Sequence, residues 1–139
     1  MKTHPRNSQE SHPNFYYPGL TFSSAWRNSD VSLPRYDGYG YPPHSGTMQL
    51  WTGLANNSGT IWFDEPVLSV EAWFSAGQGV TMEAYDSYGN LLKQGSLGRV
   101  YGDNKLLRLT VSSGSEPISY VIVHDSTDYW TMDDFAYGW

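Results

Sequence analysis

The sequence contains no cysteine, which excludes disulfide bonds, thiol nucleophiles and zinc–thiolate sites. Basic residues are also scarce: eight lysines and arginines stand against fourteen aspartates and glutamates, and the formal net charge is −6. Nucleic acids and anionic membrane surfaces are bound through clusters of basic residues, so this composition argues against both as partners. No apolar run approaches the roughly 20 residues of a membrane-spanning helix, and membrane insertion is not expected.

The N-terminal segment lacks the apolar stretch of a signal peptide. Residues 1–14 are polar and contain proline, so we expect a disordered tail or linker there. Residues 15–139 are then expected to form a single domain. We expect the protein to be secreted or at the cell surface, with an export signal that is not part of this sequence. It can also be part of a larger multidomain protein.

Aromatic residues are abundant, with six tryptophans and eleven tyrosines, and glycine and proline are frequent enough for many tight turns. Apolar and polar residues alternate over 59–63, 67–75 and 79–85, and residues 86–90 have the composition of a hairpin turn. No segment has the 3.6-residue period of a helix. This pattern predicts an all-β sandwich or barrel of about eight or nine strands, interrupted by a long aromatic-rich loop over residues 23–45.

Two adjacent carboxylates, Asp133 and Asp134, interrupt the apolar pattern of the last predicted strand. Neighbouring residues in a strand point to opposite faces, so one carboxylate should point towards the interior or its edge. A buried carboxylate needs a compensating positive charge, and oxygen ligands of this kind suit calcium. We therefore expect a structural calcium ion here; the alternative is that both residues are solvated at a strand end.

Four segments resemble bacterial exported jelly-roll domains that are similar to calcium-containing carbohydrate-binding modules: residues 63–75, 79–92, 118–123 and 130–137. The resemblance implies an antiparallel β-sandwich of the jelly-roll type. It also implies a structural calcium held by an aspartate near the start of the last strand, a position that Asp133 matches. Partners for that aspartate come from the N-terminal segment, where Asn28 and Asp30 are candidates by composition alone.

A row of outward-facing side chains forms the first candidate ligand site. Alternation places Trp62 and Trp73 outward, with Glu71, Glu83 and, if its neighbours point inward, Arg108 on the same face. Sugar rings stack on tryptophan and tyrosine faces while their hydroxyls pair with polar groups, so this row predicts a glycan-binding face. The alternative is that the long loop covers this sheet and the tryptophans form a second small core.

The aromatic loop is the second candidate site. Exposed tyrosines on loops rich in glycine and proline are common in recognition surfaces, because they offer a large amphipathic area at low entropic cost. The alternative is a loop that packs on its own rings. The loop aromatics and their neighbours are Trp26, Tyr36, Tyr39, Tyr41, His44 and Trp51.

These features favour a noncatalytic module that binds polysaccharide through exposed aromatic residues. One alternative is a structural or adhesive domain of a secreted protein, whose aromatics mediate protein contacts. A second is a small polysaccharide-active enzyme, because Glu71, Glu83 and Asp86 supply the paired carboxylates of glycoside hydrolysis. Acidic β-domains supply such pairs by chance, and no catalytic residue is assigned. Residues 124–128 offer a histidine and two aspartates, but we interpret them as a polar loop.

Overall fold

The computed structural model describes residues 10–11, 17–30, 42, 44–46, 48–52, 58–124 and 129–139. Every regular element in these ranges is a β-strand. None of the described residues forms a helix that is long and apolar enough to cross a membrane. The loop tyrosines Tyr36, Tyr39 and Tyr41 lie outside the described residues, so the recognition role predicted for them stays a prediction.

The described strands form two sheets. In chain order the strands are β1 Glu10–Ser11, β2 Leu20–Phe22, β3 Arg27–Asp30, β4 Met48–Trp51, β5 Gly59–Val67, β6 Ser69–Ala76, β7 Val80–Tyr85, β8 Leu91–Leu97, β9 Val100–Thr110, β10 Ile118–His124 and β11 Trp130–Gly138. One sheet has six strands in the order β1-β3-β4-β11-β6-β9, and the other has five in the order β2-β5-β10-β7-β8. The predicted antiparallel β-sandwich is confirmed, with more strands than the eight or nine expected.

The extra strands lie where the sequence shows no alternation. Arg27–Asp30 form β3 inside the segment predicted as a continuous loop, and they pair with β4. Glu10–Ser11 pair with Ser29 and Asn28, although they fall within the predicted tail. Strands of two to four residues are too short for a two-residue period to be recognised. Residues 1–9 and 12–16 lie outside the described residues, so the predicted tail and domain boundary stay predictions.

The core fills the space between the two sheets. Strand β7 illustrates the pattern, because Val80, Met82 and Ala84 are buried while the residues between them are partly exposed. The predicted hairpin turn follows: Gly89 adopts a φ of 85°, and Asp86 Oδ1 accepts hydrogen bonds of 2.9 Å from the backbone N–H groups of Tyr88 and Asn90. These donors hold the pKa of the Asp86 carboxyl below its usual value.

Trp26 belongs to this core. Its side chain is fully buried, its ring packs edge-on against Phe22 and Trp130, and its Nε1 donates a 3.1 Å hydrogen bond to the Thr60 carbonyl. The position of Trp26 in the predicted loop suggests a place in a recognition surface with the other loop aromatics. That prediction is wrong for this residue, because the turn preceding β3 directs the ring between the sheets.

Candidate functional site

Three aromatic residues lie side by side on the outer face of the five-stranded sheet. In the strand register, Trp62 of β5 is opposite Tyr120 of β10, and Tyr120 is opposite Tyr85 of β7. Directly opposite residues share a face of the sheet, so the three side chains form one row across adjacent strands. The two tyrosine rings stack at a centroid distance of 5.0 Å and an interplanar angle of 10°, and Trp62 is 43% exposed.

Polar groups adjoin this aromatic row. Tyr85 donates a 3.0 Å hydrogen bond from its hydroxyl to Glu83 Oε1, and His124 Nε2 lies 3.5 Å from the same oxygen. Desolvation and the carboxylate of Glu83 raise the pKa of Tyr85, so its hydroxyl remains a proton donor at neutral pH. The row therefore combines an exposed ring face on Trp62 with donors and acceptors held by neighbouring strands.

The row predicted from the sequence is divided between the two sheets. Trp62 and Glu83 lie on the five-stranded sheet, whereas Trp73, Glu71 and Arg108 lie on the six-stranded sheet. The reason is topological: β5 and β6 are separated only by Leu68, yet the chain crosses from one sheet to the other at that point. Alternation within each strand is right, but the assumption that successive strands neighbour one another is wrong here.

On the outer face of the six-stranded sheet, Trp73 is covered. The imidazole of His44 stacks on the indole with a centroid distance of 3.8 Å and an interplanar angle of 7°. Nearby, the Pro42 carbonyl accepts a 3.1 Å hydrogen bond from Asn104 Nδ2. Ser75 points to this outer face, because it alternates with core residues along β6, and yet it is fully buried. This geometry matches the alternative in which a loop covers the predicted tryptophan face.

Glu71, which lies two residues before Trp73 on β6, forms an ion pair with Arg108 on the neighbouring strand β9. Arg108 donates from Nε at 2.8 Å and from Nη2 at 2.7 Å to Glu71 Oε1. The third carboxylate of the paired-carboxylate alternative, Asp86, is held in its hairpin turn by backbone donors. The three carboxylates that suggested an enzyme therefore lie on the six-stranded sheet, on the five-stranded sheet and in the turn that follows β7.

Asp133 and Asp134 lie at a β-bulge. The register of β11 against β6 shifts between Asp133 and Ala136, and Asp134 has a φ of 49°, in the left-handed region. A bulge interrupts the two-residue alternation, so the expectation that the two carboxylates point to opposite faces is wrong. Both instead accept hydrogen bonds from the same neighbouring segment, at His44 and Ser45.

These hydrogen bonds supply local compensation for the two carboxylates. His44 Nδ1 lies 2.6 Å from Asp134 Oδ2, Ser45 Oγ donates to Asp134 at 2.8 Å, and the Ser45 N–H donates to Asp133 Oδ2 at 2.9 Å. Burial nevertheless raises the pKa of Asp133, against the lowering effect of the Ser45 N–H. The donors of His44 and Ser45 therefore offset only part of the cost of burying Asp133.

Two of the predicted calcium ligands, Asn28 and Asp133, lie on opposite faces of the six-stranded sheet. Asn28 is opposite Leu50, a core residue, and so it points inward, whereas Asp133 is opposite Trp73 on the outer face. Among the residues that the structure describes, no group of three acidic or histidine side chains has a metal-binding arrangement. The side chain of Asp30 lies outside the described residues, and calcium stays a prediction.

Sequence reasoning missed the aromatic row although its signals are present. Alternation over residues 79–85 predicts that Tyr85 faces outward, but it does not place Tyr85 beside Trp62 or Tyr120. In β10, Ile118, Val121 and Val123 are fully buried, and the irregular register between Ile118 and Tyr120 sets the outward phase of the tyrosine. The strand order, which brings β10 between β5 and β7, is what makes the row and cannot be read from alternation.

The sandwich is similar to solved carbohydrate-binding modules. A variant of a family 29 module complexed with mannohexaose has a TM-score of 0.54 and 11% identity, over 84% of this chain and 89% of that chain. An arabinose-bound GH51 α-L-arabinofuranosidase has a TM-score of 0.52 and 12% identity, over 87% of this chain and 23% of that chain. No protein-family model and no curated protein matches the sequence. The similarity confirms the predicted jelly-roll resemblance in fold.

Proposed function

We propose that this protein is a noncatalytic carbohydrate-binding module whose ligand lies across the outer face of the five-stranded sheet. The observation that carries the proposal is the aromatic row of Trp62, Tyr120 and Tyr85 on three adjacent strands. Paired strands hold each ring in register, so the surface is formed before any ligand arrives. A pre-formed surface avoids the entropic cost of ordering a loop on binding.

The proposed mechanism combines ring stacking with hydrogen bonding. A sugar presents its C–H face to the exposed indole of Trp62, and its hydroxyls reach Glu83, His124 and the tyrosine hydroxyls. Adjacent strands are about 4.8 Å apart, so the row spans about 10 Å. That length favours an oligosaccharide segment of a polysaccharide over a single sugar.

The fold supports this proposal without deciding the ligand. A module of the same fold has been solved in complex with mannohexaose, which makes a glycan a reasonable ligand class for a sandwich with an exposed aromatic face. The scarcity of basic residues disfavours strongly acidic partners. A secreted or cell-surface location and a multidomain parent protein remain parts of the proposal.

The test compares two tryptophans on opposite sheets. Retention on a panel of soluble and insoluble polysaccharides identifies the ligand, and affinity electrophoresis then measures Trp62→Ala and Trp73→Ala. Trp62→Ala is expected to weaken binding about tenfold, the range of a lost aromatic contact. Trp73→Ala is expected to keep the wild-type affinity, because His44 already covers that ring.

Circular dichroism establishes that each variant is folded before its affinity is compared. A folded protein that no polysaccharide retains would contradict the proposal and favour the structural or adhesive alternative. Loss of binding in Trp73→Ala with normal binding in Trp62→Ala would move the ligand to the six-stranded sheet.

A further inference from the structure

A cleft of about 480 Å³ opens at one end of the sandwich, where the end of β11 faces the start of β2 and the end of β5. Its walls include two aromatic side chains, Tyr137 and Trp139, and two carboxylates, Asp64 and Glu65. Cavities of roughly 300–1,000 Å³ are typical of small-ligand sites. The cleft therefore has the size and the mixture of apolar and polar groups of a binding site.

The walls of this cleft are fixed by backbone hydrogen bonds. The Asp64 N–H donates to the Gly19 carbonyl at 3.0 Å, and the Leu68 N–H donates to the Gly138 carbonyl at 2.8 Å. The Tyr137 ring packs against Phe63 at a centroid distance of 5.2 Å. The carboxylates and the tyrosine are thus held by the same strands that form the sandwich, while Trp139 is 77% exposed beside them.

Strand β5 contributes to both the cleft and the aromatic row. Trp62 and Asp64 are both exposed and flank the buried Phe63 on β5, so they lie on the same side of the strand, about 7 Å apart along it. A glycan that stacks on Trp62 and follows this face of β5 towards its end reaches Asp64 at the cleft next. The shared strand therefore allows one extended ligand to reach both the row and the cleft.

The charge of the cleft restricts that ligand. Among the described residues, neither Asp64 nor Glu65 forms an ion pair, and no lysine or arginine lines the cleft. Unpaired carboxylates accept hydrogen bonds from hydroxyl and ammonium groups and repel acid groups. An aromatic face beside them suits the C–H face of a pyranose.

We infer that this cleft is an end subsite that binds one further sugar residue of the same glycan, carrying hydroxyl or amino groups and no acid group. This inference rests on the proposed function of the aromatic row. Trp139 stacks on the sugar, while Asp64 and Glu65 bind its hydroxyl or ammonium groups. The subsite adds affinity only for ligands long enough to extend beyond Trp62, and it discriminates against uronic acids.

Calorimetric titration with defined oligosaccharides tests this inference. The probes are mannohexaose, cellohexaose, a glucosamine hexamer and hexagalacturonic acid, together with the disaccharides mannobiose and cellobiose. The variants are Trp139→Ala in the cleft and Trp62→Ala in the row. Tyr88→Ala is the matched control, because Tyr88 is also 77% exposed but lies in the turn between β7 and β8.

Wild-type protein is expected to bind at least one uncharged or amino hexasaccharide about tenfold more tightly than hexagalacturonic acid. Trp139→Ala is expected to lower the affinity for that hexasaccharide about three- to tenfold. The affinity for the disaccharides, which is weaker, is expected to stay unchanged. The double variant Asp64→Asn, Glu65→Gln is expected to reduce the difference in affinity between uncharged and acidic hexasaccharides. Tyr88→Ala is expected to behave like the wild type with every probe.

Wild-type affinity of Trp139→Ala for the bound hexasaccharide would overturn the end subsite while leaving the proposed function intact, provided that Trp62→Ala still loses binding. Wild-type affinity of Trp62→Ala would overturn the proposed function and the inference with it, as would a wild-type protein that binds none of the probes. Preference for hexagalacturonic acid would also overturn the subsite.

Discussion

Replacing Gly59 by alanine tests how the strand that carries Trp62 is positioned. A Cβ atom at this position would overlap Cε2 and Nε1 of the Trp26 ring and would come within 2.7 Å of Cζ2. Gly59 begins β5, three residues before Trp62. The absence of a side chain is therefore what lets the backbone of β5 lie directly against the indole.

Neither partner has room to withdraw. Trp26 is fully buried, packed edge-on against Phe22 and Trp130, and its Nε1 bonds to the carbonyl of Thr60, the residue after Gly59. The Thr60 N–H also donates a 3.0 Å hydrogen bond to Ser23 Oγ. Any shift of the ring or of the strand that accommodates the new methyl group strains these contacts.

The expected cost follows from these contacts. Over-packing a rigid core costs about 1–3 kcal/mol, and weakening one hydrogen bond adds about 1 kcal/mol. The lower entropy of the unfolded alanine chain offsets about 0.4–1 kcal/mol. The net loss is about 1–3.6 kcal/mol, which lowers the melting temperature by about 3–14 °C for a domain of this size.

Thermal unfolding followed by circular dichroism measures this loss. Gly114→Ala is the matched control, because a Cβ there meets no atom within 4 Å, and we expect its melting temperature to stay within about 2 °C of the wild type. A Gly59→Ala protein as stable as Gly114→Ala would refute the close approach of β5 to Trp26. It would also remove the argument that this strand presents Trp62 rigidly.

Three further predictions concern titrating groups and the proposed ion. Because its pKa is lowered in the fold, Asp86 contributes stability above its unfolded pKa of about 3.9 that disappears as the pH falls through the folded value. Asp86→Asn should therefore be less stable than the wild type near pH 7, and this difference in unfolding free energy should shrink as the pH falls below about 3.9 in paired denaturant titrations. A difference that stays constant with pH would contradict this. Burial and the charges of Asp133 and Asp134 raise the pKa of Tyr17. Tyr17 therefore contributes to the free energy of unfolding below its unfolded pKa of about 10, and this contribution is lost as the pH rises through the pKa of the folded protein. Tyr17→Phe should lack this alkaline loss, and parallel wild-type and variant profiles would exclude it. The predicted calcium ion should raise the free energy of unfolding by about 2.7 kcal/mol when free calcium exceeds its dissociation constant a hundredfold. Identical melting curves in calcium and in chelator would contradict the prediction that calcium binds.

The long regular strands could be predicted from the sequence because one face of each is buried. In β5, Ile61 and Phe63 are buried and Trp62 is exposed, as alternation predicts, and β7 follows the same rule. The turn at Asp86 was also recognisable, since its glycine and asparagine permit the required conformation and its aspartate caps the backbone. Local chemistry decides each of these features.

What could not be predicted depends on contacts between distant segments. Assigning Trp62 and Trp73 to one face failed because alternation fixes the face of a strand and not the sheet to which the strand belongs. The opposite-face argument for Asp133 and Asp134 failed at a bulge, whose extra residue follows from pairing with β6. Burial of Trp26 likewise depends on Gly59, which is 33 residues away in the sequence and adjacent in space.

The two outer faces of the sandwich are consequently unequal. On the six-stranded sheet, His44 stacks on Trp73 and, with Ser45, binds the paired carboxylates of the bulge, so aromatic and acidic groups satisfy each other within the protein. On the five-stranded sheet, Trp62 keeps 43% of its surface exposed, and Glu83 accepts a hydrogen bond from Tyr85 and lies 3.5 Å from His124 along the edge of the aromatic row. A ligand gains the most favourable contacts where ring faces and polar groups are still accessible. This difference, rather than the number of tryptophans, is the reason to place the glycan on the five-stranded sheet.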